Sequence, residues 1–163
     1  MRRKSFDALV SAAGVLLTVI LIAAGALAFW GYSYSNNTVT NQLRSQDITF
    51  PPAAAFAHAK AGTEITPSMI PSVSQYAGQR LQTGAQAEAY ADHFIAVHLS
   101  EMPYGGVYAK VSAAAMAAKP GSAEATQLKA VEQTVFQGTS LRGMLLNAYG
   151  WWKIGQIALY SAI

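Results

Sequence analysis

The sequence predicts an all-α protein: one N-terminal transmembrane helix followed by a small extracytoplasmic helical bundle. Three observations carry this expectation. No charged residue appears between Ala8 and Ser35. The second half is cut by cap and stop residues into pieces of helical length, and no stretch alternates apolar and polar residues as a half-buried strand would. The composition agrees, since 52% hydrophobic and 12% charged residues is too apolar for a disordered chain and high for a soluble one.

The N-terminal run comes first in order. Its centre, "VLLTVILIAAGALAFW", is rich in Leu, Ile, Val and Ala, and at a rise of about 1.5 Å per residue the roughly 20 residues that cross a hydrocarbon core are available. Trp30, Tyr32 and Tyr34 follow where an aromatic belt at the membrane interface belongs. Arg2, Arg3 and Lys4 precede the run, and because excess Lys and Arg stay cytoplasmic, the N-terminus is expected inside and the bulk of the chain outside a plasma membrane. A cleaved signal peptide competes, because Ala26 to Ala28 has a small-x-small pattern, but export signals carry shorter apolar regions of about 7 to 15 residues. Gly14, Gly25, Ala24 and Ala28 offer a weak small-residue face for helix packing.

The predicted organisation is a cytoplasmic basic tail over 1–7, a transmembrane helix over 8–34, a polar stalk over 35–71 and a helical bundle with an apolar C-terminal helix over 72–163. The stalk is punctuated by Asn36, Asn37, Pro51, Pro52, Gly62, Pro67 and Pro71. Within it, Tyr34 to Gln46 can prolong the membrane helix with Val39 and Leu43 as its apolar side, "DITF" before Pro51 favours extended backbone, and His58 falls on a solvated loop. In the bundle, Thr83 with Gln86 three residues later has capping-box spacing, and Pro103 stops the helix it opens. Gly105 and Gly106 make a turn into "VYAKVSAAAMAAK"; "KPGS" ends that helix. Ser122 caps a third helix expected to close at Gly138, and Thr139 or Ser140 caps a last one from Leu141. Short loops between such helices argue for an antiparallel bundle.

The last helix is apolar but for Arg142, Asn147, Lys153 and Gln156, which do not share a stripe. It reads as the buried central helix, as an interfacial helix with Trp151, Trp152 and Lys153 at headgroup level, or as a return span, which Lys153 disfavours. The final "IALYSAI" is expected to dock on lipid or protein, or to lead into a further span. Tyr149, Trp151, Trp152 and Lys153 are the candidate partner or membrane contacts, and Trp30, Tyr32 and Tyr34 the interface residues.

Chemistry concentrates in "YADHFIAVHLSEM", Tyr90 to Met102. His93, His98 and Glu101 are candidate metal ligands. On a uniform helix His98 and Glu101 lie about 60° apart and can cooperate, whereas His93 and His98 lie about 140° apart. The plainer reading has two partly buried imidazoles bonded to backbone or to Glu101 and placed by Phe94, Ile95, Val97 and Leu99. Glu88 and Asp92 read as a solvated edge. From Ser33 onward eight Lys or Arg stand against seven Asp or Glu, too balanced and scattered for a nucleic-acid face. The absence of cysteine excludes disulfides and thiolate sites, and no phosphate loop or nucleophile motif appears.

The stretches "WGYSYSNNTVTNQLRSQDITFP", "YAGQRLQTGAQAEAYADHFIAVHLSEM" and "TVFQGTSLRGMLLNAYGWWKIGQIALYSAI" together resemble a family of uncharacterised actinobacterial membrane proteins with one N-terminal span. The likeness runs over most of the chain. Relatives are sometimes named ring-opening dioxygenases, which implies a nonheme iron enzyme holding its metal with two His and one carboxylate. Here only His93, His98 and Glu101, with Asp92 or Glu88, can fill those places. A paired-helix di-iron site uses Glu-x-x-His twice, whereas this chain has one His-x-x-Glu.

The expectation is therefore a noncatalytic, membrane-anchored extracytoplasmic accessory or protein-interaction module of an actinobacterial cell envelope, with no resident cofactor. Its expected partners are the lipid bilayer and another membrane or envelope protein; self-association is left open. The alternatives are a dioxygenase-like metal enzyme using His98, Glu101 and His93, and a bundle that binds a small ligand or lipid between "HFIAVHL" and "LLNAYGWW".

Overall fold

A computed structural model describes residues 3–163, so Arg2 of the basic cluster lies outside the described residues. It is built from α1 (Arg3–Ser45), α2 (Ala53–Ala57), α3 (Ile70–Val73), α4 (Gly84–Tyr90), α5 (Ala96–Glu101), α6 (Tyr108–Ala117) and α7 (Ala123–Ser161). A π-helical turn at Ala91–Ile95 joins α4 to α5 without a break, and single 3-10 turns flank α3 and precede α6. No strand forms among the described residues; Thr49 and Arg80 make one isolated antiparallel bridge. The all-α fold class holds.

Two long helices organise the rest. α1 has 43 residues, about 65 Å at the usual rise, which exceeds the roughly 30 Å of a hydrocarbon core. It is long and apolar enough to cross a membrane, and none of its most apolar window is covered by the rest of the chain. Past that window the same helix enters the core through Val39 and Leu43, both buried. α7, at 39 residues, runs antiparallel to α1. Ser35 Oγ donates to the Trp151 carbonyl at 2.7 Å, and a Cβ on Gly155 would lie 3.1 Å from the Ser35 Cβ. Farther along, a Cβ on Gly25 would meet the Ala162 carbonyl at 3.4 Å. The end of α7 therefore lies beside the apolar part of α1.

α7 is one helix where two were expected. Gly138 does not terminate it; a Cβ there would sit 2.9 Å from Leu99 Cδ2, so this glycine provides room for Leu99 within an unbroken helix. The caps form as the spacing predicts. Thr83 and Gln86 make the reciprocal capping box, and Ser122 Oγ accepts from the Ala125 amide at 3.1 Å. α5 ends just before Pro103. Gly106 follows with φ of +63°, and a Cβ there would lie 2.1 Å from the Leu99 carbonyl oxygen, so no other residue fits this turn.

The segment 35–71 departs from the polar stalk expected of it. Its first turns belong to α1, and its remainder folds onto the bundle with Phe50, Phe56, Ile65 and Met69 buried. "DITF" is extended, as expected. The Leu81 amide donates to the Ile48 carbonyl at 2.8 Å and the Phe50 amide to the Gln79 carbonyl at 2.9 Å, while Arg80 pairs with Asp47. These bonds satisfy the backbone of a loop that would otherwise lose water without replacement. Phe50, Met69, Val73 and Leu81 then join Leu145 in one core; each large side chain contributes about 1.5–3 kcal/mol of apolar burial.

Two glycine variants test the packing. Gly84 faces Trp152, and a Cβ there would overlap the Trp152 Cβ at 2.3 Å; Gly84→Ala is expected to cost about 1–3 kcal/mol through overpacking. A Cβ added at Gly143 would meet nothing within 4 Å, so Gly143→Ala is expected to stabilise by about 0.5–1 kcal/mol. Denaturant or thermal unfolding in mild detergent distinguishes the two signs.

Candidate functional site

The histidine helix is built by the α4 capping box, the π turn and α5. A π turn closes i to i+5 bonds and so spends an extra residue per turn. This narrows the His93 to His98 separation below the value a uniform helix sets. Even so, the three candidate ligands do not converge: no group of three His, Asp or Glu among the described residues is placed to hold a metal ion. Glu101 is exposed at the end of α5.

His98 is committed elsewhere. Its Nε2 lies 2.8 Å from the Glu64 carbonyl oxygen, and because a carbonyl only accepts, Nε2 carries the proton. That nitrogen has no lone pair for a metal while the bond lasts. The bond ties the 60–66 loop to α5, and the His98 ring stands edge-on to Phe94 at 4.6 Å between centroids. His93 is half-buried and makes no side-chain hydrogen bond among the described residues.

Phe94 and His98 end a ladder of rings. Phe50 meets Tyr76 at 5.2 Å and Tyr90 at 5.3 Å, and Tyr90 meets Phe94 at 4.7 Å, all within the range of favourable aromatic pairs. These rings fill the space on one side of His98. Burial raises the Tyr90 phenol above its ordinary value of 10.0, and the charge of Glu64 pushes it the same way.

Asp92 is also engaged. Arg142 of α7 reaches its Oδ1 through Nη2 at 2.6 Å and Nε at 3.2 Å, which fixes the π turn against α7. With these side chains 39% and 33% exposed, the pair is an ordinary half-solvated ion pair of modest strength. No buried side-chain polar atom among the described residues lacks a partner. Unlike an assembled polar centre awaiting a ligand, the interior is satisfied.

The helices that carry "HFIAVHL" and "LLNAYGWW" do meet: Phe94, Ile95, Leu145 and Ala148 share one core, Leu99 occupies the notch at Gly138, and Trp152 lies over Gly84. This splits the expected contact set. Trp152 packs on the core and stacks with Tyr149 at 6.1 Å, so it is an internal residue in place of a surface contact. Trp151 is 58% exposed, and Lys153 is exposed beside it. Trp30 and Tyr34 are exposed and stacked on each other at 5.7 Å, whereas Tyr32 turns toward Phe29 and is half-buried. Sequence reasoning missed exposed apolar residues on the α6 and α7 hairpin: Tyr108 of α6 and Phe136 of α7 pair at 5.9 Å and are exposed, as is Met116 farther along α6. Their signal was an Ala-rich helix carrying isolated large residues.

Comparison of the chain with protein-family models, curated proteins and solved structures gives no match.

Two outcomes follow from this geometry. His98→Ala removes the tie to Glu64 and is expected to raise protease cleavage between residues 60 and 66 several-fold, with metal content by elemental analysis unchanged from the wild type; loss of stoichiometric iron or zinc in the variant would contradict the assignment. Because the neutral Tyr90 phenol is favoured in the folded state, its contribution is intact below the ordinary phenol value and is lost as pH rises through the higher folded one. Melting temperature is expected to fall above pH about 10, and less steeply in Tyr90→Phe.

Proposed function

We propose that this chain is a membrane-anchored extracytoplasmic accessory module, noncatalytic and acting through protein contact, in a cell envelope of the actinobacterial type that the sequence resemblance implies. The observation that carries the reading is the continuity of α1, whose uncovered apolar part and buried Val39 and Leu43 lie on one unbroken helix. An anchor and a core element joined this way form a rigid unit, so the bundle is held at a fixed height over the bilayer. Arg3 and Lys4 at the start of α1 favour a cytoplasmic N-terminus. The exposed Trp30 and Tyr34 then lie at the outer interface, as their amphipathic rings prefer.

Antiparallel packing directs the start of α7 away from that interface. The α6 and α7 hairpin is thus the part farthest from the bilayer, and its exposed Tyr108, Met116 and Phe136 are the proposed protein-contact surface. Aromatic residues and methionine are enriched in such contacts. Metal-dependent oxygenase chemistry draws no support from the positions of His93, His98 and Glu101.

The absence of native cysteine makes topology directly measurable. Gln127→Cys is expected to react with a membrane-impermeant maleimide on intact spheroplasts, and Ser5→Cys only after lysis. Labelling of both before lysis would reject a spanning α1; the reverse pattern would invert the orientation. The contact surface is tested by site-specific photocrosslinking from Met116, where a single protein adduct is expected and is lost in Phe136→Glu. A chain that yields no adduct and purifies as a lone monomer from mild detergent would reject the interaction reading.

A further inference from the structure

Between α1 and α7 runs a groove of about 500 Å³ that neither the histidine helix nor the hairpin surface uses. Each helix contributes a stripe with the same spacing: Gly31, Ser35, Thr38 and Gln42 from α1, and Asn147, Trp151, Ile154 and Ala158 from α7. Steps of four, three and four residues keep each stripe on one helical face. Gly31 to Gln42 covers about 16 Å along the axis. Gly155 and Ser35 close the floor, where a Cβ on Gly155 would lie 3.1 Å from the Ser35 Cβ.

The groove is graded in polarity along its length. At the end away from the apolar part of α1 stand Thr38, Gln42 and Asn147 around the buried Val39, and these three polar side chains make no hydrogen bond among the described residues. At the other end stand Gly31, Ile154 and Ala158, continuous with the exposed Leu27 and Trp30. The aromatic walls are Tyr34 and Trp151. No Lys, Arg, Asp or Glu among the described residues lines it. A hydroxyl and two carboxamides offer donors and acceptors to a neutral polar group, whereas a phosphate would meet none of the charge-assisted bonds that favour it.

We infer that this groove holds a single membrane lipid with an uncharged, hydrogen-bonding head group, its head at Thr38, Gln42 and Asn147 and its chain passing Ile154 and Ala158 into the bilayer. The inference rests on the reading that α1 crosses the membrane, which sets the graded groove across the outer interface with its apolar end toward the hydrocarbon. It deepens that reading by giving the anchored module a lipid ligand.

The test uses the full chain in phosphatidylcholine nanodiscs with a monoacylglycerol that carries a diazirine in its acyl chain. Adducts mapped by peptide mass spectrometry are expected to concentrate in residues 31–42 and 147–158. Unlabelled monoacylglycerol should compete better than lysophosphatidylglycerol, and Asn147→Leu should weaken that competition by about threefold to tenfold, the equivalent of one lost hydrogen bond. Ala158→Trp fills the apolar end and is expected to abolish groove adducts while adducts at Val15 to Ile22 persist; circular dichroism and melting confirm that the variant folds. Even labelling along α1 with no enrichment in the groove, or groove adducts that survive Ala158→Trp, would overturn the inference. Chain-to-chain crosslinks from Tyr34 or Trp151 would overturn it in favour of a second copy. Loss of adducts at Val15 to Ile22 as well would instead reject the spanning α1.

Discussion

The structure depends on the antiparallel contact between α1 and α7. Ser35 and Gly155 are small enough for the two backbones to approach, and the Ser35 hydroxyl uses that approach to reach the Trp151 carbonyl at 2.7 Å. Small residues that permit close approach, with a hydroxyl bonding across, are a common solution where helices associate in or near lipid. Once these two axes are fixed, Val39 and Leu43 on one helix and Leu145 and Ala148 on the other define a single apolar surface. The shorter elements are arranged to cover it.

That covering explains the irregular middle of the chain. Residues 46–82 form few helical turns of their own, yet they supply Phe50, Phe56, Ile65, Met69, Val73 and Leu81 to the core. The backbone of this stretch is satisfied by the Ile48 to Leu81 and Phe50 to Gln79 bonds and by the tie from His98 to the Glu64 carbonyl. His98 thus acts as a clasp: its ring joins the aromatic ladder while its Nε2 proton holds a loop. The same bond occupies Nε2 and leaves only Nδ1 as a donor to a metal, and no group of three His, Asp or Glu among the described residues gathers around it.

Much of the local structure is legible in the residues themselves. Thr83, Ser122 and Pro103 act through their immediate neighbours, so spacing alone identifies them. The extension of α1 through Val39 and Leu43 is legible because an apolar i, i+4 pair continues the helical period. Gly138 misleads because a glycine after an apolar run signals a helix end, and only the position of Leu99 reveals that the residue makes room within a helix. The loop core is hidden because its apolar residues lie among Pro and Gly without a period. The paired stripes of α1 and α7 are present in the sequence at matching steps, but nothing local indicates that residue 35 meets residue 151.

The sequence by itself determined an all-α chain, a helix long and apolar enough to cross a membrane, and the caps that begin α4 and α7. Each of these is set by composition or by contacts within a few residues. Tertiary structure decided that α7 is continuous, that Trp152 points inward while Trp151 faces out, and that His93, His98 and Glu101 do not share a centre. These outcomes depend on which helical faces meet between segments tens of residues apart in the chain, and on a π turn that shifts the face of its helix. Periodicity fixes a face only relative to its own axis; the partner across the seam fixes what that face becomes.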